Sequence, residues 1–336
     1  MKKIYGLLFV ILLWGSYSCN NEEEKESDSV SVEEAQTIEE YTALIEKNPD
    51  NADLYNERAL LHLKNDDAEN AKNDIRQALK LEPNSSEYHV TRAKIYASTL
   101  QMERSLRDFE QAKDLDSTNA EAFLGIGKIY YLARSLEKAM ENLDQSLKLD
   151  PYQKEPYFYK GMIFREYNDF KSSASSFQTA LEQDPEYYDA YVELGILYSG
   201  IKKPIALEYF ESALRLDSMG VDAHYAKAKY FQDIDSIDVA LSQYKKIIEK
   251  VDSTFSPAYF NQGYIQMMVK EDYDSAVYFF KKAIEVDPEY VQAHHNLGLI
   301  YQLAGNKNEA KKHYKNALKI DNTYQLSRDA LQNLDK

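Results

Sequence analysis

Cysteine occurs once in 336 residues, as Cys19. A lone thiol excludes an intramolecular disulfide framework and every zinc or iron–sulfur centre built on several cysteines. Basic residues are outnumbered, 40 Lys and Arg against 56 Asp and Glu, for a net charge of −16. Binding nucleic-acid phosphate needs a surplus of cations on the surface, so this balance argues against such a partner. No H-E-x-x-H, nucleophile elbow or phosphate-cradling glycine loop occurs, which leaves no motif for metal, acyl or phosphoryl chemistry. The apolar run Ile4–Trp14 has eleven residues, too short for a membrane-spanning helix, which needs ~20. What the chain does have is a 44% hydrophobic share that includes 28 Tyr, enough for a packed core.

The N-terminus reads as an address. Met1-Lys2-Lys3 is a basic n-region, Ile4–Trp14 has the length of a secretory h-region, and small residues follow at Gly15, Ser16 and Ser18. Cys19 stands directly behind them. This boundary resembles the lipobox of bacterial lipoproteins, with Ser16-Tyr17-Ser18 where that family carries Leu-(Ala/Ser)-(Gly/Ala). The resemblance implies a signal peptide over 1–18, cleavage after Ser18 and a lipid anchor on Cys19. Residues 19–34 then form a lipidated, acidic tether, since Asn20-Asn21-Glu22-Glu23-Glu24-Lys25-Glu26 and the Ser- and Asp-rich residues behind it bury no apolar surface. An acidic run behind such a cysteine resembles the surface-export signal of Bacteroidota-type lipoproteins. Asn20 is not the Asp that commonly retains lipoproteins in the inner membrane. The implied address is the outer membrane, surface-exposed in preference to periplasm-facing.

The remainder is one pattern in eight copies. Pro49, Pro83, Pro151 and Pro185 are spaced by multiples of 34 residues, as are Pro288 and Asn322. Blocks beginning at Ala52, Ser86, Ala120, Lys154, Tyr188, Val221, Ser256 and Val291 align, with one-residue length changes in three. Position 4 is aromatic or His throughout (Tyr55 to His294), and position 8 is Ala or Gly (Ala59 to Gly298). Position 20 is Ala or Ser, and position 24 is large and apolar or Tyr. Small residues at 8, 20 and 27 let two helices approach closely while bulky ones at 4, 11 and 24 fill the gaps, so each block predicts a helical hairpin. One hairpin cannot bury its own face; neighbours must stack. Residues 35–51 match a second helix lacking its first, and 325–336 carry Leu326, Ala330 and Leu334 on one face, so both ends predict capping helices.

This 34-residue signature resembles the tetratricopeptide repeat (TPR) over about 52–324. The resemblance implies an all-α, right-handed α-solenoid of about eight hairpins with an N-terminal half-repeat and a C-terminal capping helix. It also implies a non-catalytic protein, with no cofactor or metal, that holds a partner on a concave face lined by positions 2, 5, 9 and 12 of the first helices. The candidates on that face are Lys94, Lys128, Tyr131, Phe158 and Arg165, then Tyr225, Lys229, Phe260 and Tyr264, with Met267 beside them. Aromatics beside cations suit a peptide-binding groove. The family's clamp for chaperone tails needs Lys and Asn at positions 5 and 9 with Asn at 6 of the next block, and no consecutive pair supplies it.

Comparing the copies with one another isolates one further pair. Arg occupies position 7 only as Arg58 and Arg92, and Asp occupies position 23 only in the same two blocks, as Asp74 and Asp108. The covariation predicts ion pairs between the helices of each hairpin, a structural device. Four of the six His sit at aromatic positions and read as core substitutes rather than metal ligands. The function these features imply is an outer-membrane-anchored scaffold for a protein or peptide partner, in envelope assembly, secretion or an adaptor role. The alternative is a surface glycan- or nutrient-binding lipoprotein beside an outer-membrane transporter, for which the repeats lack the long insertions that build a sugar platform.

Overall fold

A computed structural model describes residues 35–334. The expected signal, Cys19 and the acidic tether lie outside the described residues. The fold is all-α, and no strand occurs among the described residues. Two compact units divide the chain between Asn84 and Ser85. The first contains α1 (Ile38–Lys47), α2 (Ala52–Lys64) and α3 (Ala68–Leu81). The second begins with α4 (Ser86–Ser98), α5 (Met102–Leu115), α6 (Ala120–Leu132), α7 (Leu136–Leu149), α8 (Lys154–Glu166) and α9 (Phe170–Gln183). It continues with α10 (Tyr188–Gly200), α11 (Ile205–Leu216), α12 (Val221–Asp233), α13 (Ile237–Lys246), α14 (Ser256–Met268), α15 (Tyr273–Val286), α16 (Val291–Leu303), α17 (Lys307–Ile320) and α18 (Gln325–Leu334).

Each even-numbered helix from α2 to α16 packs on the odd-numbered helix that follows it, and within the second unit each hairpin packs on the next. The small residues explain the closeness. Ala59, Ala71, Ala93, Ala139, Ala206 and Ala228 are fully buried, and a Cβ added at Gly161 would lie 2.6 Å from the Phe177 ring. Where position 20 is Ser, its buried hydroxyl is satisfied across the hairpin: Ser105 donates to the Ala93 carbonyl (2.8 Å) and Ser173 to that of Gly161 (2.9 Å). The bulky position 24 (Phe177, Phe210, Tyr244, Phe280, Tyr314) is fully buried.

The turns repeat as faithfully as the cores. In seven blocks the amide of residue 16 donates to the carbonyl of residue 11 over 2.8–3.0 Å, as from Gln101 to Tyr96, the outer bond of a Schellman motif. That motif puts residue 15 in the left-handed region, where glycine is favoured. Only Gly305 obliges; Asp66, Leu100, Arg134, Asn168, Lys202 and Asp235 take φ of 54–62° at the same place. Second helices from α5 onward end on an Asp whose carboxylate accepts from the amide two residues on, as Asp116 does from Thr118 (2.8 Å).

The three length changes each have a structural outlet. The missing residue of the fifth block shortens α11 to 12 residues, with Pro204 standing before it. The extra residue of the sixth is absorbed as a π-helical turn, Ile247–Val251, at the end of α13, where Ile247 is fully buried despite breaking the small-residue rule at position 27. That of the seventh lengthens the α14–α15 turn, moving the left-handed residue to Glu271.

Candidate functional site

Successive first helices of the second unit touch directly, α4 with α6, α6 with α8 and α10 with α12. They share a face on which the candidate residues lie. Its cations are not free. The Lys94 ammonium is 2.5 Å from the Glu121 carboxylate of the next hairpin, and Arg165 pairs with Glu193 of the next hairpin in the same way. Lys128 stands over the Tyr159 ring, 5.4 Å from its centre, and Lys229 pairs with Asp233 one turn along α12 (2.7 Å). Lys94 and Arg165 are thus neutralised by acids at positions 2 and 6 of the following first helix, while Lys128 meets a ring face.

The aromatic candidates divide into packed and exposed. Phe158 lies 5.5 Å from Phe177 and 5.2 Å from Tyr187, Tyr225 lies 6.0 Å from Tyr244 and 5.2 Å from Phe255, and Phe260 lies 5.6 Å from Phe280 and 5.0 Å from Tyr290. Each trio joins position 5, position 24 and the last residue of one repeat. His295 completes the same arrangement with Tyr314 and Tyr324. Such contacts stabilise the repeat, most of them at tilted or edge-on geometries and Phe260–Tyr290 stacked. Sequence reasoning missed the trios, though the signal was present: position 5 and the last position are aromatic or His in the same four blocks and in no other. Tyr131 packs edge-on against Tyr159 (5.5 Å), Tyr264 stays exposed beside Phe260, and Met267 is buried in the core rather than on the face.

The position 7–23 pairs are bidentate. Arg58 Nε and a terminal nitrogen donate to Asp74 at 2.8 and 2.7 Å, and Arg92 to Asp108 at 2.8 and 2.6 Å. Burial pushes the Asp108 carboxyl up, but hydrogen bonds from His89 and Arg92 hold it below the ordinary Asp value. Two lysines at position 7 use a different partner: Lys160 reaches Asp144 (2.5 Å) and Lys227 reaches Glu211 (3.2 Å), both on the second helix of the preceding hairpin.

Two open pockets lie on the first-helix face. One, of about 270 Å³, is apolar: Ala97, Met102, Leu124 and Ile129 line it, with Leu132 at its rim and the Lys94–Glu121 pair beside it. Gly125 forms its floor because the Phe109 ring occupies the place a Cβ would take. The other, of about 340 Å³, lies among α8, α10 and α12 and mixes aromatic and acidic side chains. Burial pushes the Glu193 carboxyl there above its ordinary value against the pull of Arg165, and Asp189 and Asp222 add to the rise. Among the described residues no cluster of His, Cys, Asp and Glu has metal-binding geometry, and no helix is long and apolar enough to cross a membrane.

The geometry is that of a helical-repeat scaffold. Tetratricopeptide-repeat profiles match residues 40–73, 120–153, 258–305 and 291–324, and the chain carries tetratricopeptide repeats. Protein bimA of Emericella nidulans is 27% identical over 122 residues, 36% of this chain but only 15% of that protein. Among solved structures, the human IFIT1 dimer with m7Gppp-AAAA superposes with a TM-score of 0.60 at 17% identity, covering 84% of this chain and 76% of that one. The APC/C hetero-tetramer Cut9-Hcn1 superposes at 0.54 and 15% identity, covering 89% and 52%. At these identities the likeness shows the fold alone. Repeats of this kind are generally non-catalytic and bind protein partners, and none of the matched families is catalytic.

Proposed function

We propose that this chain is an outer-membrane lipoprotein, anchored through Cys19, that holds a protein or peptide partner on the first-helix face of its second unit. The observation that carries the binding half is the pair of open pockets on that face that combine apolar or aromatic walls with charged rims, built mainly from first-helix side chains. A packed solenoid that served only as a spacer would have no reason to leave such hollows between neighbouring first helices. The anchoring half rests on the sequence Gly15-Ser16-Tyr17-Ser18-Cys19 behind an apolar run. Its role is in envelope assembly, secretion or as an adaptor.

Two measurements test the halves separately. Cys19→Ala should release the protein from the membrane fraction, and a variant that stays bound would remove the lipoprotein reading. Cross-linking in intact cells from a photoreactive residue at Leu132 or Ile196, both on the rims of the pockets, should give a discrete protein adduct that the same probe at Glu208 on α11 does not. Equal adducts from both positions would remove the first-helix face from its role.

A further inference from the structure

The aromatic trios fill the groove side of the fourth, sixth, seventh and eighth repeats, and the fifth lacks one. Its position 5 is Val192 and its last residue is Gly220, so the ring that Tyr187, Phe255 or Tyr290 supplies elsewhere is missing. A Cβ on Gly220 would collide with the Tyr188 hydroxyl, which instead accepts from the Ala223 amide (3.4 Å). The 340 Å³ pocket opens at this lapse, walled by Phe158, Tyr188 and Tyr225, with buried Val192 beneath.

Its rim is negative. Glu193 is engaged by Arg165. Asp189 and Asp222, at position 2 of adjacent first helices, are exposed and have no hydrogen-bond or ion-pair partner among the described residues. An anion entering here would meet two carboxylates, and a purely apolar group would strip water from them without replacing it. A cation on an aliphatic stem satisfies both: its stem lies along Val192 and the rings, its charge meets the carboxylates and the ring faces. We infer that this pocket receives an arginine or lysine side chain of the protein partner. The inference rests on the scaffold reading above and names the chemistry of its partner. The upward push on the Glu193 carboxyl from Asp189 and Asp222 is in keeping with a site short of positive charge.

The test is a random dodecapeptide phage library panned on the mature full-length protein, followed by fluorescence anisotropy with the enriched peptides as labelled synthetic probes. The enriched peptides are expected to share a basic residue. Asp189→Asn/Asp222→Asn should weaken their binding about tenfold or more, Glu208→Gln should not, and replacing the basic residue by citrulline or norleucine should cost no further affinity in the double variant. Circular dichroism melts of the variants check that these exposed substitutions leave the fold intact. Peptides that bind without a basic residue, or equally well to the double variant, would overturn the pocket assignment and leave the scaffold standing. A library that yields no peptide above the background of uncoated wells would overturn the scaffold reading together with it.

Discussion

Leu100 occupies the left-handed position of the α4–α5 turn at φ 56°, with its side chain 81% exposed. For a residue with a Cβ this conformation costs roughly 1–2 kcal/mol. Glycine removes the cost, and its greater freedom in the unfolded chain returns about 0.5–1 kcal/mol. So little of the Leu100 side chain is buried that its loss contributes almost nothing to the difference. Leu100→Gly is therefore expected to stabilise the protein by about 0.5–1 kcal/mol, raising the melting temperature by roughly 2 °C for a unit of this size. The eighth repeat supplies the reverse experiment. Gly305 has φ 76° and no heavy atom within 4 Å of the place a Cβ would take, so Gly305→Ala carries the backbone effect alone and should cost about 1 kcal/mol. Asn168→Gly should gain less than Leu100→Gly, because asparagine tolerates this region better. Thermal unfolding followed by far-ultraviolet circular dichroism measures all three. A Leu100→Gly protein that melts at or below the parent temperature would refute the reasoning, whatever Gly305→Ala does.

Gly161→Val should destabilise by about 2 kcal/mol or more, since the first added carbon already meets the fully buried Phe177 ring at 2.6 Å; urea titration reads the loss, and an unchanged midpoint would show that the hairpin can open without strain. Asp108→Ala leaves the half-buried Arg92 guanidinium and His89 without their shared carboxylate, for an expected cost of about 2 kcal/mol by the same titration. The eighth repeat should also weaken in mild acid. Burial, with His294 alongside, lowers His313 to about 4, and burial lowers His294 and His295 as well. Neutral histidines of this kind contribute fully above the unfolded value near 6.5. Below it the unfolded chain takes up protons first, so stability falls as pH drops from about 6.5 toward 4. Melting temperatures across that window should decline less steeply in His313→Gln, and a protein that gains stability on acidification there would contradict the assignment.

The reach of sequence reasoning followed the distance between partners along the chain. Contacts inside a hairpin recur at a constant offset, so comparing eight copies exposes them: positions 8 and 24, and the 16-residue step from Arg58 to Asp74 or Arg92 to Asp108. Lys160 and Lys227 use the same 16-residue step in the opposite direction, to Asp144 and Glu211 of the preceding hairpin, and comparison of blocks one at a time does not see across that boundary. The aromatic trios were readable from covariation of position 5 with the last position, but only once those two positions were known to meet. Position 15 was readable as an oddity, a non-glycine in a glycine's place, yet its left-handed conformation follows from the hydrogen bonds of the turn.

The amino-acid sequence by itself determined that this is a stack of helical hairpins, because a small–large alternation repeated every 34 residues admits no other way to bury its bulky side chains. Only the tertiary structure decided what the groove offers. Whether Lys94 and Arg165 face a partner or an acid depends on the rotation of one hairpin against the next, which no single repeat encodes. That rotation sets both lysine and arginine against Glu121 and Glu193. It leaves Asp189 and Asp222 without an ion-pair partner among the described residues, beside the hollow where the aromatic row is interrupted.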